Sequence, residues 1–292
     1  MKTAVMTASY AGDYDRCALL CESMDRFMRG DWQHVLLVER ADVARFRALE
    51  GPQRRVISEA ELLPGWLRAF PDPSSLGRRR IWLSPFSAPL RGWHVQQLRR
   101  LAMARHVEAD ALLSIDSDVV MVRPFDPASM WDGNRLRLFR VDNGAQKTRL
   151  GHLAWLAHAG RLLGLPLRPE PAHDYISTFI AWRTDSARAL LDHIEAHTGR
   201  NWVRAVISSR DISECMIYGR FVDEVLGGAG HYPDPRSLAH VLWFRETFPQ
   251  TPEGLASFMR GLGPDQVAVG VQSFVDHSLA DIRRAAFSVT PD

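Results

Sequence analysis

Lysine is almost absent from this chain: only two of its 36 basic residues are lysine, the rest arginine. Cysteine is nearly as scarce, with three residues. So small and odd a set cannot form a full disulfide framework, which argues against a secreted, disulfide-stapled domain. No apolar run approaches the length of a membrane span. Lys2 is followed by Thr3-Ala4-Val5-Met6-Thr7, too short and too polar-flanked for the apolar centre of a signal peptide. A cytoplasmic protein is expected, with peripheral membrane association left open. A charge excess is also lacking: the formal net charge is +2. That is too balanced for a nucleic-acid partner. The arginine bias suits anionic ligands, because a guanidinium forks onto phosphate and carboxylate; a GC-rich genome is the plainer explanation.

What is present reads as an ordinary globular chain: 292 residues, 46% hydrophobic and 24% charged. That length suits one large α/β domain or two small ones. Apolar runs at 2–8, 34–38 and 54–57 read as strands. A helix is expected from Tyr14, capped by Asp13, with Cys17, Leu20, Cys21, Met24, Phe27 and Met28 as its core stripe. Cys17 and Cys21 are then small buried apolar residues, not zinc ligands. Another helix is expected over 42–49. Ser58 and Glu61 fit a capping box. Alternation of strand and helix predicts a parallel sheet with right-handed crossovers. The stretch 64–92, with its prolines, glycines and Arg78-Arg79-Arg80, reads as a long irregular insertion, either functional or a surface excursion. Further helices are expected over 92–107, 148–163, 185–197, 202–207, 213–225 and 279–287. Strands are expected over 136–141 and 175–182, with short apolar segments near 241–243 and 267–271. No internal repeat is seen.

The chain centres on Ala111-Leu112-Leu113-Ser114-Ile115-Asp116-Ser117-Asp118-Val119-Val120-Met121-Val122. A short, wholly apolar run reads as a buried strand. Asp116 and Asp118 then sit at its carboxyl end, where ligands of open α/β sheets bind. In an extended chain the two side chains point the same way. Two close carboxylates raise each other's pKa unless a cation relieves them. A hard divalent ion with a diphosphate completing its shell would do so; a strand-end turn cap is the other reading.

The strand ending in Thr7-Ala8-Ser9-Tyr10, the stretch Gly92-Trp93-His94-Val95-Gln96-Gln97-Leu98, and Asp116-Ser117-Asp118 ahead of Val122-Arg123-Pro124-Phe125 together resemble a GT-A-type glycosyltransferase. Within that fold the chain resembles the bacterial glycosyltransferase-like proteins of the DUF6492 group. Ser213-Glu214-Cys215-Met216-Ile217-Tyr218-Gly219 matches a further run of that group, with Cys215 in place of an aromatic. The resemblance covers residues 2 to about 273. It implies a GT-A-like, Rossmann-type, mostly parallel central sheet flanked by helices in a single domain. Residues 1–125 would form the nucleotide-sugar-binding half and 126–292 the acceptor-side half. It implies sugar transfer from a nucleotide diphosphate sugar, a UDP-sugar favoured, to a glycan or small-molecule acceptor, with Mn2+ or Mg2+. Asp118 would hold the metal, and Asp116 would reach it through water or bind the ribose. Thr7, Ala8, Ser9 and Tyr10 would hold the nucleoside, Tyr10 by stacking or else merely covering the sheet end. Ser117 would lie in the same donor site.

The other polar candidates carry two readings each. Glu214 is either the base that deprotonates the acceptor or a helix-dipole partner in a first turn. Asp174, beside His173, either meets acceptor hydroxyls or makes a turn. His240, and after it His277, could complete a metal shell or be a satisfied core histidine. Gln272 and Ser273 could reach the diphosphate. At least one of Gln96 and Gln97 is expected to face the donor cleft. Trp93, Trp131, Trp182, Trp202 and Trp243 are read as mostly core, with one of them open as a sugar platform. Two competing functions remain. A sugar-phosphate nucleotidyltransferase usually carries a glycine-rich phosphate loop, and residues 7–12 hold one glycine. A non-catalytic GT-A-fold binding protein has no need of the Asp116/Asp118 pair.

Overall fold

A computed structural model describes residues 1–77, 79–147, 151–242, 247–272 and 277–288. Strand β1 (Thr3–Ala8) is buried along its whole length. Helix α1 (Tyr14–Phe27) follows and buries Cys17, Leu20, Cys21, Met24 and Phe27, the expected stripe. Next come β2 (Trp32–Val38), the short α2 (Val43–Phe46) and β3 (Arg54–Ser58). The capping box forms: Glu61 Oε1 accepts from the Ser58 amide at 2.9 Å and Ser58 Oγ from the Ala60 amide at 3.3 Å. It opens only a single 3-10 turn.

The stretch 64–92 is not irregular. It folds as an antiparallel meander of β4 (Arg68–Pro71), β5 (Arg80–Ser84) and β6 (Ser87–Arg91). Trp82 pairs with Leu90, and both are buried in the core. Each strand is too short for its alternation to stand out, and Pro71, Pro73, Pro85 and Pro89 interrupt the pattern. Pro89 is tolerated because β6 is an edge strand, where no ladder donor is needed.

The chain then runs through α3 (Gly92–Met103), β7 (Ala111–Ile115) and β8 (Val119–Met121). It continues with β9 (Trp131–Asp132), β10 (Arg135–Phe139) and α4 (His152–Leu163), which ends at Gly164 with φ 71°. Next are β11 (Phe179–Arg183), α5 (Thr184–Thr198), α6 (Trp202–Val206) and α7 (Glu214–Arg220), the last extended by a π-helical turn. The remainder is β12 (His231–Asp234), β13 (Ala239–Val241), α8 (Pro252–Arg260), β14 (Ala268–Gly270) and α9 (Leu279–Ser288). The strand expected over 175–182 begins only at Phe179.

The central sheet has the order β11-β7-β1-β2-β3. β1, β2, β3 and β7 are parallel, and β11 closes one edge antiparallel to β7. β8 leaves this sheet and joins β13 and β14 in a small one. β10 lies between β9 and β12 in another. The result is a mixed α/β single domain with a parallel-rich central sheet, as expected. Alternate residues of β1 feed two cores: Ala4 and Met6 pack with Leu98 and Leu101 of α3, and Val5 packs with Leu20 and Met24 of α1. The carboxyl ends of β1 and β7 thus emerge side by side between α3 and α1. No helix among the described residues is long and apolar enough to cross a membrane.

Candidate active site

The sheet's carboxyl edge is built from β1 and β7, whose residues Met6 and Ser114 pair in parallel. Thr7 is fully enclosed there. Its hydroxyl donates to the Ile115 carbonyl at 2.9 Å and meets His34 Nε2 at 3.0 Å. Arg54 Nε donates to His34 Nδ1 at 2.9 Å, which places the ring proton on Nε2, so Thr7 accepts from it. The Thr7 side chain is therefore spent inside the sheet, and Ala8 and Ser9 are buried beside it. Only Tyr10 of the four loop candidates is exposed, at 53%, with Asp13 and Arg79 among its charged neighbours.

Asp116 and Asp118 do stand at the end of β7. The extended-chain argument fails locally, because the Val119 amide bonds back to the Asp116 carbonyl at 3.1 Å and makes a turn. The two carboxylates accordingly address different neighbours. Asp116 turns toward α3, where Gln96 Nε2 donates to it at 2.9 Å and the Arg100 guanidinium pairs with it. Asp118 lines a small crevice with Arg16, Ser117 and Val271. Its carbonyl accepts from the Val271 amide at 3.0 Å, and Arg16 donates to the Val271 carbonyl at 2.8 Å. Gln272 follows directly and so lies beside the aspartate turn. The Ser117 hydroxyl is bound to the Asp13 carboxylate.

That last contact corrects one expectation. Asp13 occupies the N-cap of α1 but makes no side-chain cap bond. Its carboxylate instead joins the aspartate turn. Three acids now share one region. Burial, then Asp116 and Asp13, push the Asp118 carboxyl up to about 7. Burial raises Asp13 also, against the opposing pull of Ser117 and Arg16. The donor set is hard and anionic, with Arg16 and Arg100 opposing part of its charge, which suits a divalent cation whose shell a ligand completes. Among the described residues no three His, Cys, Asp or Glu side chains form a ready cage.

The two histidine candidates make other contacts. The His240 ring stacks on Phe258 at 4.3 Å and 25°, and it lines a different cleft from Asp118. β13 holds it two strands from β8, across β14. His277 Nε2 meets the Pro249 carbonyl at 2.6 Å. Ser273, Arg78 and Trp243 lie outside the described residues.

The convergence around α3 is fuller than expected. Arg100 bridges Asp116 to Glu214. Gln97 Oε1 accepts from the Glu214 amide at 3.1 Å, while Ser213 Oγ caps α7 through the Met216 amide at 3.3 Å. Burial opposes the Arg100 charge, and Asp116 and Glu214 more than offset it, holding the guanidinium above its ordinary value. Sequence reasoning does not single out Arg100. Its spacing of four from Gln96 is the available signal, since i and i+4 share a helix face.

Asp174 has other partners. Its carboxylate accepts from the Ile176 amide at 3.0 Å and lies 3.9 Å from His152 Nδ1. Burial raises the Asp174 carboxyl, partly countered by the Ile176 amide and His152. It borders a cleft of about 310 Å³ shared with Phe139, Ser177, Thr178, His240 and Gln266.

A family profile matches residues 2–286, nearly the whole chain. The chain belongs to the DUF6492 family. That family is described as one of unknown function. No curated protein matches the chain. Among solved structures, mouse xyloside xylosyltransferase 1 in its apo form is similar, with a TM-score of 0.50 and 12% identity. That match covers 95% of this chain and 100% of the mouse one. An active-site mutant of LgtC gives a TM-score of 0.48 at 11% identity, covering 97% of this chain and 94% of its own. At such identities the likeness concerns the fold: this DUF6492 member has a GT-A-like α/β architecture.

Proposed function

We propose that this DUF6492 protein transfers a sugar from a nucleoside diphosphate sugar, a UDP-sugar favoured, to an acceptor hydroxyl. The observation that carries the reading is the meeting of Gln96, Arg100, Asp116 and Glu214, with Asp118 two residues beyond Asp116, at the carboxyl edge of a GT-A-like sheet. Residues 1–125 supply most of the donor half and 126–292 most of the acceptor side. Tyr10 and the backbone of residues 8–10 meet the nucleoside. Asp118, with Asp116 beside it, holds Mn2+ or Mg2+, and Gln272 reaches the diphosphate. When bound, the cation supplies Lewis-acid stabilisation of the charge that grows on the leaving diphosphate.

Arg100 fixes the orientation of Asp116 and Glu214. Glu214 is buried and its carboxylate is taken up by Arg100, which favours a positioning role. Asp174 borders an open cleft and its carboxyl is raised, which suits proton transfer from an acceptor hydroxyl. The test is turnover of a UDP-sugar panel by native protein and by Asp174→Asn. Expected is a loss of about 10²–10⁴-fold with donor affinity unchanged. Unchanged turnover would remove Asp174 from the chemistry.

A further inference from the structure

We propose that the acceptor is a saccharide whose ring stacks on the Trp93–Trp155 pair. This rests on the glycosyl-transfer reading above. The sequence reads Trp93 as core, yet its side chain is 49% exposed, whereas Trp182 and Trp202 are buried. It opens α3 one turn ahead of Gln96 and Gln97 and two ahead of Arg100, so helical spacing sets these four on adjoining positions. The rings of Trp93 and Trp155 lie 5.8 Å apart at 40°. Trp155 stacks in turn on His152 at 5.2 Å and 30°.

These contacts form one run, which from His152 passes to Asp174 at 3.9 Å. A second run leads from Glu214 to Arg100 and from Arg100 to Asp116, and Gln96 returns from Asp116 to the helix that carries Trp93. The second run is charged and the first largely aromatic. A pyranose presents that same division: a C–H face for the negative face of an indole, and hydroxyls around its edge for polar groups. The half-exposed Trp93 indole and the partly exposed Trp155 beside it leave adjoining apolar surface to water.

A second feature points to the same ligand class. His152 is 2% exposed, and neither ring nitrogen has a hydrogen-bond partner among the described residues. Buried polar atoms are rarely left so. A sugar hydroxyl both donates and accepts, and so could serve either nitrogen.

The test is saturation-transfer NMR on the full chain with lactose, maltose, cellobiose and methyl β-N-acetylglucosaminide, with glycerol as a polar control that has no ring face. UDP binding is measured on the same samples by calorimetry. Expected is transfer to the ring C–H protons of at least one sugar and none to glycerol. Trp93→Ala and Trp155→Ala should weaken that sugar by at least about tenfold, as truncating an aromatic anchor does. Trp93→Phe should keep it, and UDP affinity should stay level in all variants. Absence of signal from every sugar, or a signal that survives both alanine variants, overturns the proposal. Native protein that binds a sugar through Trp93 but does not bind UDP would overturn the donor-site reading and leave the platform standing.

Discussion

Arg100 is the residue on which the candidate site turns. It is largely enclosed and balances two carboxylates. Removing one partner of a buried ion pair leaves an uncompensated charge and typically costs about 3–5 kcal/mol. Arg100→Met should therefore lower the melting temperature sharply, and adding Glu214→Gln should restore part of it. Chemical denaturation of the single and double variants measures this coupling; additive losses would show that the two side chains act independently. Asp116, Gln96 and Glu214 are legible as candidates because polar residues stand out against apolar periodicity. Arg100 is hidden in a basic pair, Arg99-Arg100, whose members look alike in sequence but face different partners. Arg99 pairs with Glu59. Asp13 is hidden for a different reason. A carboxylate before a helix reads as a cap, and only the fold shows Ser117 within reach.

At the scale of elements, local periodicity recovers most helices and the strands of the parallel core, where long apolar runs leave little ambiguity. It fails on β4–β6. There the stabilising contact is the cross-strand pair Trp82 and Leu90, which no single short strand reveals. Leu90 is fully buried, so Leu90→Ala should cost about 2–5 kcal/mol and show that the meander is part of the core. A denaturation midpoint equal to native would mean that it unfolds as a separate flap. Gly219 makes the same point for α7. A Cβ there would enter the Tyr175 ring, whose hydroxyl donates to Asp223 at 2.7 Å. Gly219→Ala gains helix propensity yet should still destabilise, by about 1–3 kcal/mol, because the overlap outweighs it. A raised melting temperature would refute that close approach.

For the whole molecule, pH should act through buried neutral histidines. Burial lowers the pKa of His34, His158 and His231 below the ordinary 6.5. The unfolded chain takes up these protons as pH falls through 6.5, and the folded chain resists them. The histidine share of stability should thus fall as pH drops below about 6.5, while the raised Asp118 carboxyl acts in the opposite sense over the same window. Comparing melting temperatures of native protein and His158→Gln across that window isolates the histidine share; a deficit of the variant that grew toward acid would contradict the sign. The architecture itself is readable from the alternation of strands and helices. The small sheet of β8, β13 and β14 is not, because its strands are short and its partners distant in sequence. That sheet is also what holds His240 away from the aspartates.

The central claim is that the aspartate turn binds a nucleoside diphosphate together with a divalent cation. Calorimetry of UDP with native protein in Mn2+, in Mg2+ and in chelator tests it most directly, with Asp118→Asn alongside. Tighter binding with metal than in chelator is predicted, with most of that difference lost in Asp118→Asn while the variant stays folded. Equal affinity in metal and in chelator would contradict it.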